Sequence, residues 1–214
     1  DVEDLCRALE EGGYDFLILC NPNNPTSSAV MQEDLRSLLS FCAKSDIFVM
    51  IDETYVEFAP DVNAVTAVPL AKGFSNLMVL RGVSKFFAAP GMRLGYGITG
   101  NTDFLRIMKE KQIPWSLNSI GAFAGEQMLK DSSYIETTCS LILSERSRMY
   151  SALSEMTGCR VYTPYANFIL LRITKTGLTS YDVFENCIKK GLMIRDCSSF
   201  QCLDGEYVRF CIMM

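Results

Sequence analysis

The chain has 214 residues, of which 49% are hydrophobic and 21% are charged, and it contains nine cysteines, one tryptophan and no histidine. The lack of histidine excludes a Ser-His-Asp triad, a Cys-His pair and a histidine-bound metal from this chain. Any acid–base chemistry near neutral pH therefore needs a lysine, a tyrosine, a carboxylate or a cofactor. The net charge is −5, and residues 1–61 hold 13 acidic and 3 basic residues, which disfavours a nucleic-acid surface there.

The nine cysteines indicate neither a zinc site nor a disulfide framework. Their number is odd, no two of them have CxxC spacing, and a chain of this length can build a core without staples. No secretory signal opens the chain, and charges interrupt every apolar run before it reaches the length of a membrane span. These features predict a cytoplasmic protein with no metal site, no membrane segment and no nucleic-acid partner.

The first half of the chain alternates helical and extended patterns. Val2, Leu5 and Leu9 recur at helical spacing and predict a helix that ends near Gly12. Further helices are predicted at 32–45 and 103–111, and short apolar runs predict buried strands at 15–20, 47–51, 77–80 and 94–99. Because strands alternate with helices, the pattern indicates an α/β domain with a mostly parallel sheet.

The pattern changes in the second half. A well-buried helix is predicted at 118–129, and a long helix at 134–156 bears Glu145, Arg146 and Arg148. After it come predicted strands at 167–173, 192–195 and 207–212 and a helix at 181–190. We therefore expect a partial large domain over residues 1–132, a connecting helix over 133–156 and a small, truncated α+β domain over 157–214.

Residues with special chemistry follow the carboxyl ends of the predicted strands, where ligands bind in such sheets. They are Asn24, Asp52, Tyr55, Ser84, Lys85 and Arg93. A lysine amine can form a Schiff base with an aldehyde, and a carboxylate can keep a pyridine nitrogen protonated. Amide and phenol groups can hydrogen-bond a phenolic oxygen, and arginine beside serine suits a phosphate. The set is what an aldehyde cofactor with a pyridine ring and a phosphate would need.

Four motifs carry a family resemblance. They are NPNNPT at 21–26, DETYVEF at 52–58, SKFFAAPGMRLGY at 84–96 and YVRF at 207–210. In order and spacing they resemble the fold-type I, pyridoxal-phosphate-dependent aminotransferases of class I/II across nearly the whole chain. The resemblance implies an aspartate-aminotransferase-like large domain, pyridoxal 5′-phosphate as cofactor and a homodimer.

The resemblance also implies roles for individual residues. Lys85 would be the Schiff-base lysine and general base, and Asp52 would pair with the pyridine nitrogen. The other implied cofactor contacts are Asn24 and Tyr55 to the phenolic oxygen and Ser84 and Arg93 to the phosphate.

Two arginines of the small domain are implied substrate ligands. Arg209 would hold the substrate α-carboxylate, and Arg195 is a second candidate whose alternative is a simple ion pair. Ser27 departs from the family, which usually has glycine after the NPT turn.

The resemblance is greatest to the branch that contains threonine-phosphate decarboxylase and histidinol-phosphate aminotransferase. The segments PWSLN at 114–118 and IRDCSSF at 194–200 favour the decarboxylase, an enzyme of cobalamin biosynthesis. The expected substrate is a small phosphorylated amino acid or amine, and the aminotransferase stays open as the alternative.

Two other interpretations are weaker. The chain lacks counterparts of the family's first strands and last helix, so we expect a fragment, which could be a non-catalytic piece that associates through its exposed surface. Residues 95–100 spell GxGxxG, but these glycines fall within a predicted strand instead of between a strand and a helix, which disfavours a dinucleotide site.

Overall fold

The computed structural model describes residues 1–212. It divides into two compact units. The first comprises Asp1–Asn21, Val30–Glu57 and Asp61–Ser133, and the second comprises Pro22–Ala29, Phe58–Pro60 and the chain from Tyr134 onward. The second unit thus includes two short segments that come from early in the sequence.

The first unit contains a four-stranded sheet and five α-helices. Its strands are β1 (Phe16–Cys20), β2 (Phe48–Asp52), β3 (Leu77–Gly82) and β4 (Gly95–Ile98). Its helices are α1 (Val2–Gly12), α2 (Gln32–Lys44), α3 (Val62–Val65), α4 (Thr102–Lys111) and α5 (Ser119–Lys130). Short 3-10 helices lie at Val56–Phe58, Val68–Lys72 and Pro90–Met92.

The sheet of the first unit has the strand order β1-β2-β3-β4. β1, β2 and β3 are parallel, and β4 is antiparallel to β3. Cys20 pairs with Asp52, and Asp52 pairs with Leu80, so the carboxyl ends of three strands meet at one edge. This register places the ends of the three parallel strands side by side, as the sequence predicted for an α/β domain.

α2 supplies much of the core of the first unit. Leu35, Leu38 and Leu39 are fully buried and belong to the same cluster as Val49 and Ile51 of β2. Each such side chain contributes about 1.5–3 kcal/mol by leaving water. The parallel strands are therefore held by a helix whose apolar face the sequence pattern already showed.

The second unit contains an antiparallel sheet and two helices. Its elements are α6 (Ser132–Ser154), β5 (Cys159–Val161), β6 (Phe168–Ile173), α7 (Ser180–Ile188), β7 (Arg195–Asp196) and β8 (Tyr207–Cys211). The strand order is β5-β6-β8-β7, and all pairs are antiparallel. α7 begins with a capping box between Thr179 and Asp182, which satisfies backbone donors of the first turn.

A buried arginine joins separate segments of the second unit. Arg146 of α6 donates through Nη1 to three backbone carbonyls, those of Phe58, Tyr165 and Ala166, at 2.6, 3.0 and 3.1 Å. Burial lowers the pKa of this guanidinium from its usual value. The hydrogen bonds attach the segment at Phe58–Pro60 to the chain that leads into β6.

The predicted α/β class and mostly parallel sheet are confirmed, and the predicted helices and long strands appear with small shifts at their ends. One prediction was wrong: the helix predicted at 118–129 is not well buried. In α5, Ile120 and Phe123 are 76% and 67% exposed, whereas Gly121 and Gly125 are buried. Ideal Cβ atoms at these glycines would lie 2.9 Å from the carbonyl oxygen of Met92 and 2.1 Å from the Leu94 side chain. The helix packs on its small residues, which leaves its large ones outside.

Two smaller differences concern short strands. The strand predicted at 192–195 is only Arg195–Asp196, and β5 at Cys159–Val161 was not predicted. Both strands have fewer than four residues, too few for an alternating pattern to appear.

Candidate active site

Asp52 ends β2 at the edge where the three parallel strands meet, and it is half-buried. Its Oδ1 accepts a hydrogen bond of 2.9 Å from the backbone N–H of Thr54 and a second, short one from the Thr54 hydroxyl. Its Oδ2 has no hydrogen-bond partner among residues 1–212. The carboxylate is thus held by one oxygen and can accept a proton donor on the other.

A cavity of about 410 Å³ lies beside Asp52. Three of the predicted cofactor residues line it, namely Asp52, Ser84 and Arg93. Thr54, Arg81 and Tyr96 contribute further polar groups to its wall. A volume of this size lies within the usual range for small-molecule sites.

Arg93 supplies a cation to this cavity. It follows the 3-10 helix at Pro90–Met92, has a φ of +50° and is exposed. Its Nη1 donates to the carbonyl of Pro90 at 3.1 Å, and it forms no ion pair with a described residue. An arginine in this state keeps donors for an added anion such as a phosphate.

Lys85 and Tyr55 lie close to each other in the first unit. The Lys85 Nζ is 5.9 Å from the centroid of the Tyr55 ring. Lys85 is exposed, forms no ion pair within residues 1–212 and lies outside the lining of the cavity. The structure therefore joins these two predicted residues to each other, and it joins Asp52, Ser84 and Arg93 through the cavity.

Glu53 and Arg81 support the strand ends, although neither was predicted from the sequence as a site residue. Glu53 is fully buried and accepts from Arg81 Nη2 at 2.7 Å and Nε at 3.0 Å. It also accepts from the Thr66 hydroxyl and from the backbone N–H of Ala67 at 2.5 Å. Burial alone would lower the pKa of Arg81, but the Glu53 carboxylate outweighs it and raises that pKa. The available signal was one acid directly after β2 and one opposite charge within the apolar sequence of β3.

Arg209 and Asn24 meet in the second unit, although 185 positions separate them in the sequence. Arg209 Nη1 donates to Asn24 Oδ1, and the guanidinium carbon lies 4.8 Å from the centroid of the Phe168 ring. Arg209 Nε is buried and has no hydrogen-bond partner within the described chain. Because buried donors are nearly always satisfied, this atom is suited to an added acceptor.

Arg195 lies directly opposite Arg209 in the pairing of β7 with β8. Opposite residues of an antiparallel pair share a face, so two positive charges lie side by side there, which is unfavourable without an anion. Arg195 Nη2 donates to Ser199 Oγ at 2.9 Å, and its guanidinium lies 5.5 Å from the Phe200 ring centroid. Arg195 forms no ion pair with a described residue, and its contacts are the Ser199 hydroxyl and the Phe200 ring.

Over residues 1–212, no helix is both long and apolar enough to cross a membrane.

A profile of the family "Aminotransferase class I and II" matches residues 1–214. The chain is 33% identical over 198 residues to the threonine-phosphate decarboxylase of Salmonella typhimurium, covering 92% of this chain and 53% of that protein. A relative from Caldanaerobacter subterraneus subsp. tengcongensis, provisionally named a threonine-phosphate decarboxylase, is 38% identical over 198 residues and has the same coverage. The chain thus spans about half the length of these curated relatives.

A solved structure gives the same result for the fold. The crystal structure of the histidinol-phosphate aminotransferase from Clostridium acetobutylicum matches with a TM-score of 0.91 and 34% identity, covering 99% of this chain and 62% of that one. The profile match over the full sequence shows that the chain belongs to the aminotransferase class I and II family.

Proposed function

We propose that this chain is part of a pyridoxal-5′-phosphate-dependent enzyme acting on a small phosphorylated amino acid or amine, with L-threonine O-3-phosphate decarboxylation as the reaction. The observation that carries the proposal is the cavity at the strand ends, which joins Asp52, Ser84 and Arg93. Those three groups fit a pyridine nitrogen and a phosphate. The alternative reaction is that of a histidinol-phosphate aminotransferase, because relatives of both names match this chain at similar identity.

The cofactor, when bound, supplies an aldehyde that a lysine amine can attack and a ring that accepts an electron pair from the substrate. In this proposal Lys85 Nζ would hold the aldehyde group of the cofactor, and once the substrate amine displaced it, the free Nζ would carry the proton to or from the substrate Cα. Asp52 Oδ2 would accept a hydrogen bond from the protonated ring nitrogen, since Oδ1 is already occupied by Thr54. Ser84 and Arg93 bind the phosphate.

The remaining proposed contacts belong to the second unit. Asn24 is a proposed ligand of the phenolic oxygen, and Tyr55 of the first unit is proposed for the same role. Arg209 would bind the substrate carboxylate, which is supported by its unpartnered Nε. Arg195 would contribute a second positive charge to substrate binding. Arg209 would set the orientation of the substrate carboxylate. That orientation would decide whether the bond from Cα to the carboxylate or the bond from Cα to hydrogen breaks.

We also propose a cytoplasmic homodimer. Trp115, Ile113 and Ile120 of the first unit are 98%, 75% and 76% exposed and lie close together in the sequence, and exposed apolar patches often mark an interface. The nine free thiols support a reducing compartment. Light scattering after gel filtration measures the mass directly, and a monomer at micromolar concentration contradicts the dimer.

Cofactor binding is tested by adding pyridoxal phosphate, reducing with borohydride and locating the label by mass spectrometry. We expect a reduced pyridoxyl group on Lys85 and its loss in Lys85→Ala. Lys109→Ala removes an exposed lysine from α4 and is the matched control, with labelling unchanged. Equal labelling of Lys85→Ala contradicts the assignment.

The reaction is tested with two substrates, using a longer protein that contains this sequence if the chain alone is inactive. Release of carbon dioxide from L-threonine O-3-phosphate is the expected result. Formation of glutamate from 2-oxoglutarate with histidinol phosphate as donor, without release of carbon dioxide from the first substrate, selects the aminotransferase instead.

A further inference from the structure

Ser27 occupies a strained position in the turn that carries Asn24. Its φ is +60°, a left-handed conformation that residues with a Cβ seldom adopt, and its side chain is fully buried. The family usually has glycine here, which would adopt this conformation without strain. Favourable contacts of the serine must therefore offset the cost of this backbone conformation.

The compensating contacts reach the chain just before β6. Ser27 Oγ accepts from the backbone N–H of Ala166 at 2.9 Å and from that of Tyr165 at 3.2 Å. The carbonyl of Ser27 also accepts from the Tyr165 N–H at 2.8 Å. Ala166 is fully buried, so its N–H would lose its acceptor if the hydroxyl were removed.

These hydrogen bonds close a ring of contacts within the second unit. The chain continues from Ala166 to Phe168, whose ring lies 4.8 Å from the guanidinium carbon of Arg209. Arg209 donates to Asn24, and Asn24 stands three residues before Ser27. The position of Arg209 therefore depends on how the turn is attached to the start of β6.

The turn is rigid enough to transmit this constraint. Thr26 Oγ1 donates to Asn23 Oδ1 at 2.9 Å, and the Asn23 N–H donates to the carbonyl of Ser28 at 2.8 Å. The Ser27 N–H donates to the carbonyl of Asn23 at 2.8 Å. A shift of Ser27 is thus passed to Asn23 through these hydrogen bonds, and from Asn23 to the next residue of the chain, Asn24.

We propose that Ser27 is a positioning residue for the anion site. Its hydroxyl fixes the turn against β6, holds Asn24 on Arg209 Nη1 and so leaves Arg209 Nε directed to an incoming carboxylate or phosphate. The inference rests on the proposed role of Arg209 in substrate binding, but the state of the Arg209 side chain can be measured without any substrate or cofactor.

The first experiment records the arginine Nε–H signals of the whole chain labelled with ¹⁵N-arginine. Arg209→Lys assigns the Arg209 signal, and Arg81 of the first unit is the internal reference. We expect Ser27→Ala and Ser27→Gly both to shift or broaden the Arg209 signal and to leave the Arg81 signal in place.

Two variants separate the hydroxyl from the backbone strain. Ser27→Gly removes both the hydroxyl and the strain, whereas Ser27→Ala removes only the hydroxyl. Ser28→Ala is the matched control, because it removes a neighbouring exposed hydroxyl that bonds only within the turn. If the Ser27 variants lower the melting temperature but leave the Arg209 signal unchanged, Ser27 is only structural and the proposal is wrong.

The second experiment titrates O-phospho-L-threonine and follows the same signals. We expect about 3- to 10-fold weaker binding to Ser27→Ala, the usual effect of one lost hydrogen bond. In an Asn24→Ala background the same change should have no further effect, because the contact through which it acts is gone; an undiminished effect contradicts the route through Asn24. If neither the unaltered chain nor a longer protein that contains it binds O-phospho-L-threonine, the proposed function fails, while the Arg209 signal still decides the role of Ser27.

Discussion

The two compact units each contain a largely buried arginine, and they stabilise it in different ways. In the first unit, Arg81 contacts a fully buried carboxylate, that of Glu53, at 2.7 Å. In the second unit, Arg146 has no acidic partner among residues 1–212 and donates to three backbone carbonyls instead. Their pKa values move in opposite directions, because burial lowers the pKa of Arg146, whereas at Arg81 the attraction of Glu53 outweighs burial.

A third arginine differs from both. Arg209 has one hydrogen bond, to Asn24, and a buried Nε without a partner in the described chain. Arg81 and Arg146 are satisfied by the protein, and both are expected to serve stability. An incompletely satisfied arginine is the one expected to serve binding. Hydrogen-bond satisfaction therefore separates structural from binding arginines, and four predictions test this distinction.

The largest effect is expected at Arg81. Arg81→Met leaves the buried Glu53 carboxylate without its partner and should lower the free energy of unfolding by about 3–5 kcal/mol. The double variant Glu53→Gln/Arg81→Met should recover part of this loss, since no unpaired charge remains. Urea unfolding followed by circular dichroism measures both, and a double variant no more stable than Arg81→Met contradicts the reason given.

The next effect is expected at Arg146. Arg146→Met removes the donor of three carbonyl groups, and a loss of about 2–4 kcal/mol in the free energy of unfolding is expected. Arg146→Lys keeps a positive charge and some donors, so its free energy of unfolding should lie between those of Arg146→Met and the unaltered chain. The same unfolding measurement applies, and a loss too small to measure would show that water replaces the guanidinium.

Arg209→Met should have a small effect on stability and a large one on binding. The free energy of unfolding should change by less than about 1 kcal/mol, because losing the hydrogen bond to Asn24 is offset by removing a buried donor, Nε, that has no partner in the described chain. Binding of O-phospho-L-threonine should weaken about 10- to 100-fold, as expected for a lost hydrogen bond between charged groups. If Arg209→Met is strongly destabilised, Arg209 is a structural arginine like Arg81 and Arg146, and the distinction between structural and binding arginines is wrong.

The smallest effects concern pH, and the two units should differ in sign. Burial raises the pKa of Glu57 beside Arg81, so the native state holds more protons than the unfolded one just above pH 4.5, and stability falls as pH rises through that window. At Asp196 burial is outweighed by hydrogen bonds from Ser180 and Ser198, which lower its pKa, so its contribution is lost as pH falls below 3.8.

Single variants separate these two contributions. Glu57→Gln should remove the decrease in stability above pH 4.5, and Asp196→Asn should remove the decrease at acidic pH. Urea unfolding of both variants from pH 3 to pH 7 provides the comparison, and equal pH slopes in the variants and the unaltered chain would contradict the assignment.

How much of the site could be predicted from the sequence depends on whether a contact is set by strand register or by distant segments of the chain. Asp52 and Ser84 could be placed at one edge because the carboxyl ends of parallel strands meet there whatever their side chains are. The contact of Asn24 with Arg209 could not, since no local pattern relates residues so far apart. The exposure of α5 was predicted wrongly, because apolar composition does not show that Gly121 and Gly125 form the packed face.

For Glu53 and Ser27, the sequence shows the residue but not the contacts that it makes. In the sequence, Glu53 is one more acid beside Asp52, and only the pairing of β2 with β3 shows that Arg81 neutralises it. Ser27 could be recognised as a departure from the family, but its hydrogen bonds to the chain before β6 depend on a tertiary contact.

The exposed indole of Trp115 makes this protein an optical reporter of association. It is the only tryptophan of the chain, and 98% of its surface is in contact with water. Its fluorescence will therefore change little when the core unfolds, because the ring is hydrated before and after. A blue shift of the emission will instead signal that another surface has covered the segment at 113–120, so one spectrum can follow assembly while circular dichroism follows folding.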